Sequence, residues 1–437
     1  MIVQMKEFIK NLKTPIAIVG MGKSGEAARR LLLLAGYAPE SILTFDGKLE
    51  SAHFRDPQAL MSQGAPRTLV VSPGVPLASP WIQEARTKGV AITSEISLAC
   101  ATLENERLIG ITGSVGKSTT VSILGAGLHA FSKTGFVGGN LGTPFADYAA
   151  DVLEKKRPRA NWIILELSSY QLENCEGLEL DYSAITYFTS NHLERYENLE
   201  HYYQTKWKIL SLTKNVLLLN REGGDLVEYF NKNGSSQQIQ VISRQDPSLQ
   251  ALHLEQAELI GQHNQDNLAL ASSLALAAGW PVTAIAGMKA FKGLAHRLES
   301  VGTVKGVRFI NDSKATAMDS VLIAVTAAHD TLQSAGKLWV LLGGRDKNLP
   351  WQDLKPLEAL QNTEFVFFGE CRQTAQAKST LPGKSFVSMQ DAMEFILSQV
   401  KPADTVLLSP GGTSLDAFKS FEDRGDVFKA IVRDFAR

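Results

Sequence analysis

The sequence predicts an α/β protein of more than one domain, on three observations. A short β-branched run, a glycine turn and a segment of helical period recur along the chain. They appear as IAIVG (16–20) before GEAARRLLLLAG, and as RLIGIT (107–112) before GKSTTVSILGAGLHA. KLWVLLGG (337–344) and DTVLLSPGG (404–412) repeat the strand and its glycine turn. Second, these runs are apolar on both faces, as in parallel strands covered by helices on either side. Third, 437 residues exceed one ordinary core, so two or three domains are expected.

Composition narrows the function classes. A hydrophobic content of 44% and a charged content of 20% fit a globular protein with buried cores. The formal net charge of −1 offers nothing to draw a nucleic acid or an anionic membrane, so neither is an expected partner. Cys100, Cys175 and Cys371 lie far apart with no CxxC pair, which argues against a disulfide framework or a zinc site. MIVQMKEFIKNLKTP lacks the apolar core of a signal peptide, and no stretch is long enough to span a bilayer. A cytoplasmic protein is expected.

Three blocks follow from the order of motifs: residues 1–94, 95–293 and 294–437. The first opens on a glycine fingerprint. The second carries ITGSVGKST and ends in the helical stretch NLALASSLALAAG and a less hydrophobic segment through Gly293. The third holds NDSKAT and two further strand–glycine turns. Within the second block, polar NKNGSSQQIQ (231–240) is expected to form a surface loop.

ITGSVGKST (111–119) is the strongest local signal. Small residues let the backbone curl after a strand, and a helix starting at the lysine turns its first N–H groups toward an anion. In that geometry Gly113, Ser114, Val115, Gly116 and Thr119 line a phosphate cradle. Lys117 reaches the β- and γ-phosphates, and the Ser118 hydroxyl sits on Mg²⁺. The spacing is shorter than the general GxxxxGK[ST] pattern, because position 111 is Ile and the first glycine is Gly113. Read alone, it could be a plain glycine turn.

GMGKSG (20–25) fits GxGxxG between a strand and a helix, with Asp46 closing the next strand, SILTFD. That is a dinucleotide fingerprint or, more simply, a tight strand–helix turn. Glu166 ends NWIILELSS beside the phosphate loop, where a metal ligand is expected, although strand-end charges are often merely solvated. Taken singly, His192 in TSNHLERY and Lys206 in YYQTKWKI read as ordinary structural or surface residues. NDSKAT (311–316), with Asp312, Lys314 and Thr316, follows the strand VRFI; GGRDKN (343–348) and SPGGTS (409–414) also follow strands. Their recurrence predicts one shared ligand edge.

Together these stretches resemble the Mur ligases of peptidoglycan synthesis, in order and over almost the whole chain. The matching stretches are IVGMGKSG, SPGV (72–75), TGSVGKST, GGNLG (138–142), LELSSYQL, NHLERY and the lysine of YYQTK. GQHNQDN (261–267), HR at 296–297, NDSKAT and LLGGRDK continue the match. SPGGTSLDAFKSFEDRG (409–425) is similar to the branch that adds D-glutamate. No DNPR-type stretch of the diaminopimelate-adding relative is present.

The resemblance implies three α/β domains: a Rossmann-like domain over 1–94 that holds the uridine diphosphate end of the substrate, a P-loop ATPase-like mononucleotide-binding domain over 95–293, and a Rossmann-like domain over 294–437 that contacts the amino acid and ATP. It implies that Lys23, Ser24, Asp46, Gly47 and Lys48 take the uridine diphosphate. Asn140 and His192 lie near the growing end of the substrate and its metal. Glu166 and Ser118 hold one Mg²⁺, and Lys206, carbamylated, helps place a second. Asn267, Arg297, Asp312 and Lys314 surround ATP, while Thr316, Lys347, Ser414 and Phe421 position D-glutamate. The implied activity is a monomeric, ATP-dependent joining of D-glutamate to UDP-N-acetylmuramoyl-L-alanine through an acyl phosphate, with Lys117, His192 and Lys206 as catalytic residues.

The pattern departs from the family at a few positions. Val115 stands where asparagine is common, Asn191 where aspartate precedes the histidine, and Gly412 where cysteine is frequent. His192 and Lys206 are one residue closer than usual. Rival readings are a Mur ligase for another amino acid, folylpolyglutamate synthase, a nucleotide-binding regulator without chemistry and, on GMGKSG alone, a dehydrogenase.

Overall fold

The structure, a computed structural model, describes residues 7–190, 195–234, 238–257 and 259–437. Its strands form three sheets. The first has four parallel strands, β1 (Ile16–Val19), β2 (Ile42–Phe45), β3 (Thr68–Val71) and β4 (Ala91–Thr93), in the order β2-β1-β3-β4. Val19 lies opposite both Phe45 and Val71, so β1 and its neighbours end level with one another. The strand order reverses at β1, which opens a crevice beyond the carboxyl ends of β1 and β3.

The second sheet is also wholly parallel. It comprises β5 (Arg107–Thr112), β6 (Phe136–Gly139), β7 (Trp162–Glu166), β8 (Leu180–Ile185), β9 (Thr213–Asn220) and β10 (Ile239–Ile242), in the order β10-β9-β8-β5-β7-β6. All of β7 is buried, as an uninterrupted apolar run requires. The expected loop over 231–240 is shorter than its polarity suggested. A helix runs through Asn233, and β10 starts at Ile239, where the apolar Ile239 and Val241 pack against the core.

The third sheet contains β11 (Glu299–Val304), β12 (Val307–Asn311), β13 (Leu338–Gly343), β14 (Thr363–Phe368), β15 (Gly383–Phe386) and β16 (Thr405–Gly411). Their order is β11-β12-β16-β13-β14-β15. Only β11 runs antiparallel, in a hairpin with β12.

The chain forms two compact units, one of Met1–Leu254 with Asp266–Met288, the other of Glu255–Gln265 with Lys289–Arg437. The first two sheets thus share a unit. One continuous core joins them: Leu31 and Leu32 on α1 (Lys23–Leu34), Ile96 and Leu98 on α2 (Glu95–Cys100), and Phe145 and Tyr148 on α4 (Phe145–Leu153) belong to the same buried cluster. Between the last two lies α3 (Lys117–Phe131), which follows the phosphate loop.

Candidate active site

Beyond β5, the loop at 113–116 curls because two glycines adopt backbone angles that other residues resist. Gly113 has φ +143° and Gly116 φ +87°. There is also no room for a side chain: a Cβ on Gly113 would lie 2.1 Å from Thr186 Oγ1, and one on Gly116 2.7 Å from Asn267 Oδ1. The loop is pinned from β8's exit. Ser114 N donates to Tyr187 O at 2.7 Å, and Ser114 Oγ to Thr189 O at 2.9 Å. Lys117, Ser118 and Thr119 form the first turn of α3, and all three are half-buried. Val115, the family departure, is 51% exposed at the crest. Its side chain thus leaves the backbone cradle intact.

Two lysines converge on one carbonyl. Lys117 Nζ donates to Gly113 O at 2.7 Å and Ser114 O at 3.1 Å, while Lys206 Nζ donates to the same Gly113 O at 2.9 Å. Lys206 projects from α5 (Leu199–Trp207) and is 1% exposed, so the solvated-face reading of this residue fails. Its ammonium also lies 4.8 Å from the Tyr202 ring. Burial pushes the Lys206 pKa well below the ordinary lysine value; the positive charge of Lys117 adds to this and Glu166 opposes it.

Glu166, at the end of β7, lies opposite Ile111 of β5 and is 3% exposed. Asn140 Nδ2 donates to its Oε1 at 2.7 Å, and Asn140 N donates to the Glu166 carbonyl at 2.9 Å. The other carboxylate oxygen, Oε2, is buried without a hydrogen-bond partner among the described residues. A buried anionic oxygen left open in this way is costly unless a cation takes it, so the site fits a divalent metal. Among the described residues, no three His, Cys, Asp or Glu side chains cluster as a metal site. His192 lies outside the described residues, as do Asn191 and Glu194.

Asn267 comes to this loop from 147 residues away: Thr120 Oγ1 donates to its Oδ1 at 3.2 Å. It lies on α6 (Gln262–Ala277). Thr186 was missed in the sequence. Its hydroxyl reaches Thr112 O at 3.2 Å and also bonds Val115 O, a role that no local motif signals.

In the first sheet, the glycine fingerprint divides into packing and access. A Cβ on Gly25 would lie 2.1 Å from Gly20 O, so Gly25 is required for α1 to approach β1, whereas nothing lies within 4 Å of one on Gly22. Asp46 ties two turns together, accepting from Met21 N at 3.0 Å and from Lys48 N at 2.9 Å. The backbone bond from Lys48, then that from Met21, holds its carboxyl below the ordinary range. Lys23, Gly47 and Lys48 are exposed around this knot and Ser24 is half-buried.

In the second compact unit, β12, β16 and β13 are adjacent and parallel, so NDSKAT, SPGGTS and GGRDKN leave the same edge. Asp312 is buried, accepting from Ser409 Oγ at 2.9 Å and Leu298 N at 3.1 Å; burial raises its pKa to about 7. Arg297, Thr316 and Lys347 are exposed at this edge, whereas Ser414 is buried. Lys314 Nζ lies 5.1 Å from the Phe421 ring, which starts α7 (Phe421–Ala436). Arg424, which sequence reasoning passed over inside FEDRG, is fully buried. It donates to Ser313 Oγ (3.0 Å), Ser313 O (2.8 Å) and Gly412 O (3.1 Å), tying two of the loops to α7.

Residues 111–275 match the Mur ligase middle domain, and residues 296–412 the Mur ligase, glutamate ligase domain. The UDP-N-acetylmuramoylalanine–D-glutamate ligase of Myxococcus xanthus (strain DK1622) is 33% identical over 95% of this chain and 97% of that protein. The ligase of the same name from Solibacter usitatus (strain Ellin6076) is 33% identical over 95% of this chain and 96% of its own length. In fold, the chain is similar to the MurF ligase from Thermotoga maritima in complex with ADP. That structure has a TM-score of 0.57 and 15% identity, covering 98% of this chain and 97% of that one. A UDP-N-acetylmuramoyl-L-alanyl-D-glutamate–2,6-diaminopimelate ligase structure has the same TM-score at 16% identity, with 98% and 93% covered. The loop, the buried glutamate and the second lysine therefore stand in a chain that belongs to the Mur ligase family, beside members named for D-glutamate addition.

Proposed function

We propose that the chain joins D-glutamate to UDP-N-acetylmuramoyl-L-alanine at the cost of ATP, in cytoplasmic peptidoglycan precursor synthesis, and that it works as a monomer. The observation that carries this reading is the convergence of Lys117 and Lys206 on the Gly113 carbonyl beside Glu166. Two anions must meet in the first step, so cationic charge at the γ-phosphate, which Lys117 supplies, dominates the barrier. The alanine carboxylate attacks the γ-phosphorus, the bond to ADP breaks, and an acyl phosphate forms. The D-glutamate amine then attacks the carbonyl carbon, inorganic phosphate leaves, and the amine gives up its proton.

Lys117 holds the phosphates, and the loop N–H groups orient them. Ser118 and Glu166 would hold Mg²⁺, which when bound neutralises phosphate charge. A neutral amine adds CO₂ to form a carbamate with loss of a proton; the lowered pKa of Lys206 favours that neutral form. The carbamate would be the ligand for a second Mg²⁺. Asn140 keeps Glu166 aimed, and the family resemblance gives His192 a role toward the acceptor substrate. Lys23, Ser24, Asp46, Gly47 and Lys48 hold the uridine diphosphate. Asn267, Arg297, Asp312 and Lys314 take ATP, and Thr316, Lys347, Ser414 and Phe421 take D-glutamate. The domains 1–94, 95–293 and 294–437 divide these tasks.

Phosphate release should require ATP, UDP-N-acetylmuramoyl-L-alanine and D-glutamate together, and a panel of amino acids should single out D-glutamate. Release independent of either acceptor would overturn the assignment. Lys117→Ala should lower kcat by at least a hundredfold. Lys206→Ala should be similarly inactive but recover in part with added short carboxylates. ¹³C-bicarbonate should give the wild type a carbamate NMR signal that Lys206→Ala lacks.

A further inference from the structure

Arg195 stands outside every role assigned so far, yet it joins the first two sheets at the substrate crevice. It follows β8 and is 9% exposed at its side chain. Its guanidinium donates to Pro73 O at 2.9 Å and Val75 O at 3.4 Å, both in the SPGV turn that leaves β3. The opposite side of the guanidinium is held by Glu173, through Nε–Oε1 at 3.2 Å and Nη2–Oε2 at 2.9 Å. Tyr170 lies 4.0 Å beneath the guanidinium carbon, and Tyr196 OH donates to Glu173 Oε1 at 2.9 Å. Each of the three guanidinium nitrogens is thus directed, and a lysine could not reproduce both carbonyl contacts and the carboxylate pair.

The SPGV turn bears in turn on the glycine fingerprint. Ser72 Oγ donates to Gly20 O at 2.7 Å, and a Cβ on Gly20 would touch Ser72 Cβ and Val75 Cγ2 at 3.1 Å each. Beneath the turn, packing is incomplete. A small cavity is lined by Ser72, Pro73, Val75, Glu95, Asn174 and Arg195. Glu95 Oε1 and Asn174 Nδ2 are buried there without hydrogen-bond partners among the described residues. Val75 and Leu77 pack against the core of the first sheet, and across the gap the arginine's bonds to Pro73 O and Val75 O fix the backbone of the turn.

We propose that Arg195, braced by Glu173, is a positioning residue that sets the SPGV and fingerprint turns for the nucleotide-sugar substrate, an inference that rests on the ligase reading above. It predicts a selective effect. In Arg195→Ala, the Kd for UDP-N-acetylmuramoyl-L-alanine measured by calorimetry, and its KM, should rise at least tenfold, while the KM for ATP stays within twofold. Arg195→Lys should fall between wild type and Arg195→Ala. Glu173→Gln should raise the same KM more weakly, and guanidinium ion should partly restore Arg195→Ala. A folded Arg195→Ala with unchanged Kd, or with both KM values raised alike, would overturn the inference. So would failure of both Arg195 variants to fold, since that would make the residue structural. A wild type that does not bind UDP-N-acetylmuramoyl-L-alanine would overturn the ligase reading and the inference together. Normal wild-type binding with unaltered variants would overturn the inference alone.

Discussion

Glu95 carries a charge problem that no local pattern announces. It is 1% exposed on α2, accepts from Ala146 N at 2.9 Å, and leaves its other oxygen unpartnered among the described residues. Burial raises its pKa to about 7, with Asp147 adding to the rise and the Ala146 and Phe145 N–H groups opposing it. The folded form therefore keeps its proton where the unfolded chain has lost it. Stability from this group falls as pH rises from the unfolded pKa toward 7 and is level above that. The whole effect is at most about 3 kcal/mol at 1.36 kcal/mol per pH unit. Glu95→Gln keeps an acceptor for Ala146 N and should gain on wild type between pH 5 and pH 8, measured by urea unfolding at each pH. An unchanged difference across that range would show Glu95 to be ionised in the native protein. Lys206 shows the same principle with the opposite sign: its burial was invisible in YYQTKWKI, because solvent access depends on what packs over the helix.

At the scale of elements, the strand–loop–helix unit at β5 and α3 was legible because its signals are local. β-branched residues favour the strand, glycines permit the turn, and the helix begins where the glycines end. What the motif leaves open is how the loop is held. Its partners, Thr186, Tyr187, Thr189 and Asn267, come from other elements, set by strand order. Gly113→Ala should therefore fail twice, through the positive φ and through collision with Thr186. We expect at least a tenfold rise in the KM for ATP and a loss of roughly 2 kcal/mol in stability. Equal ATP kinetics in the variant would mean that the loop re-forms around the methyl group. By contrast, NKNGSSQQIQ was read by polarity, yet its ends are helix and strand, because neighbouring apolar residues recruit them to the core.

For the whole molecule, the first two sheets act as a single body. Arg30 on α1 reaches Asp147 and Asp151 on α4 and Glu154 at its C-terminal cap, at 3.2, 2.6 and 2.7 Å. Its surroundings are partly exposed, so the network is worth only about 1 kcal/mol. Arg30→Ala should lower Tm by roughly 2 °C and speed hydrogen exchange in α4 without altering the KM for ATP. Protection of α4 equal to wild type would show that the Arg30 ion pairs add nothing to the joint.

By itself, the sequence determined the fold class, the seven strands it pointed to, the strand–glycine-loop–helix unit at 107–131 and the family, because these rest on short-range periodicity, glycine placement and motif order. Only the tertiary structure decided that Lys206 is buried against Gly113, that Glu166 keeps an oxygen open, and that Arg30, Arg195 and Arg424 join distant segments. Burial and long-range pairing are properties of strand order and packing. The N-terminal glycine fingerprint shows the division most plainly: GMGKSG could be found by reading, but its contact with Ser72, and the hold of Arg195 on Val75 behind it, follow from which strands lie side by side.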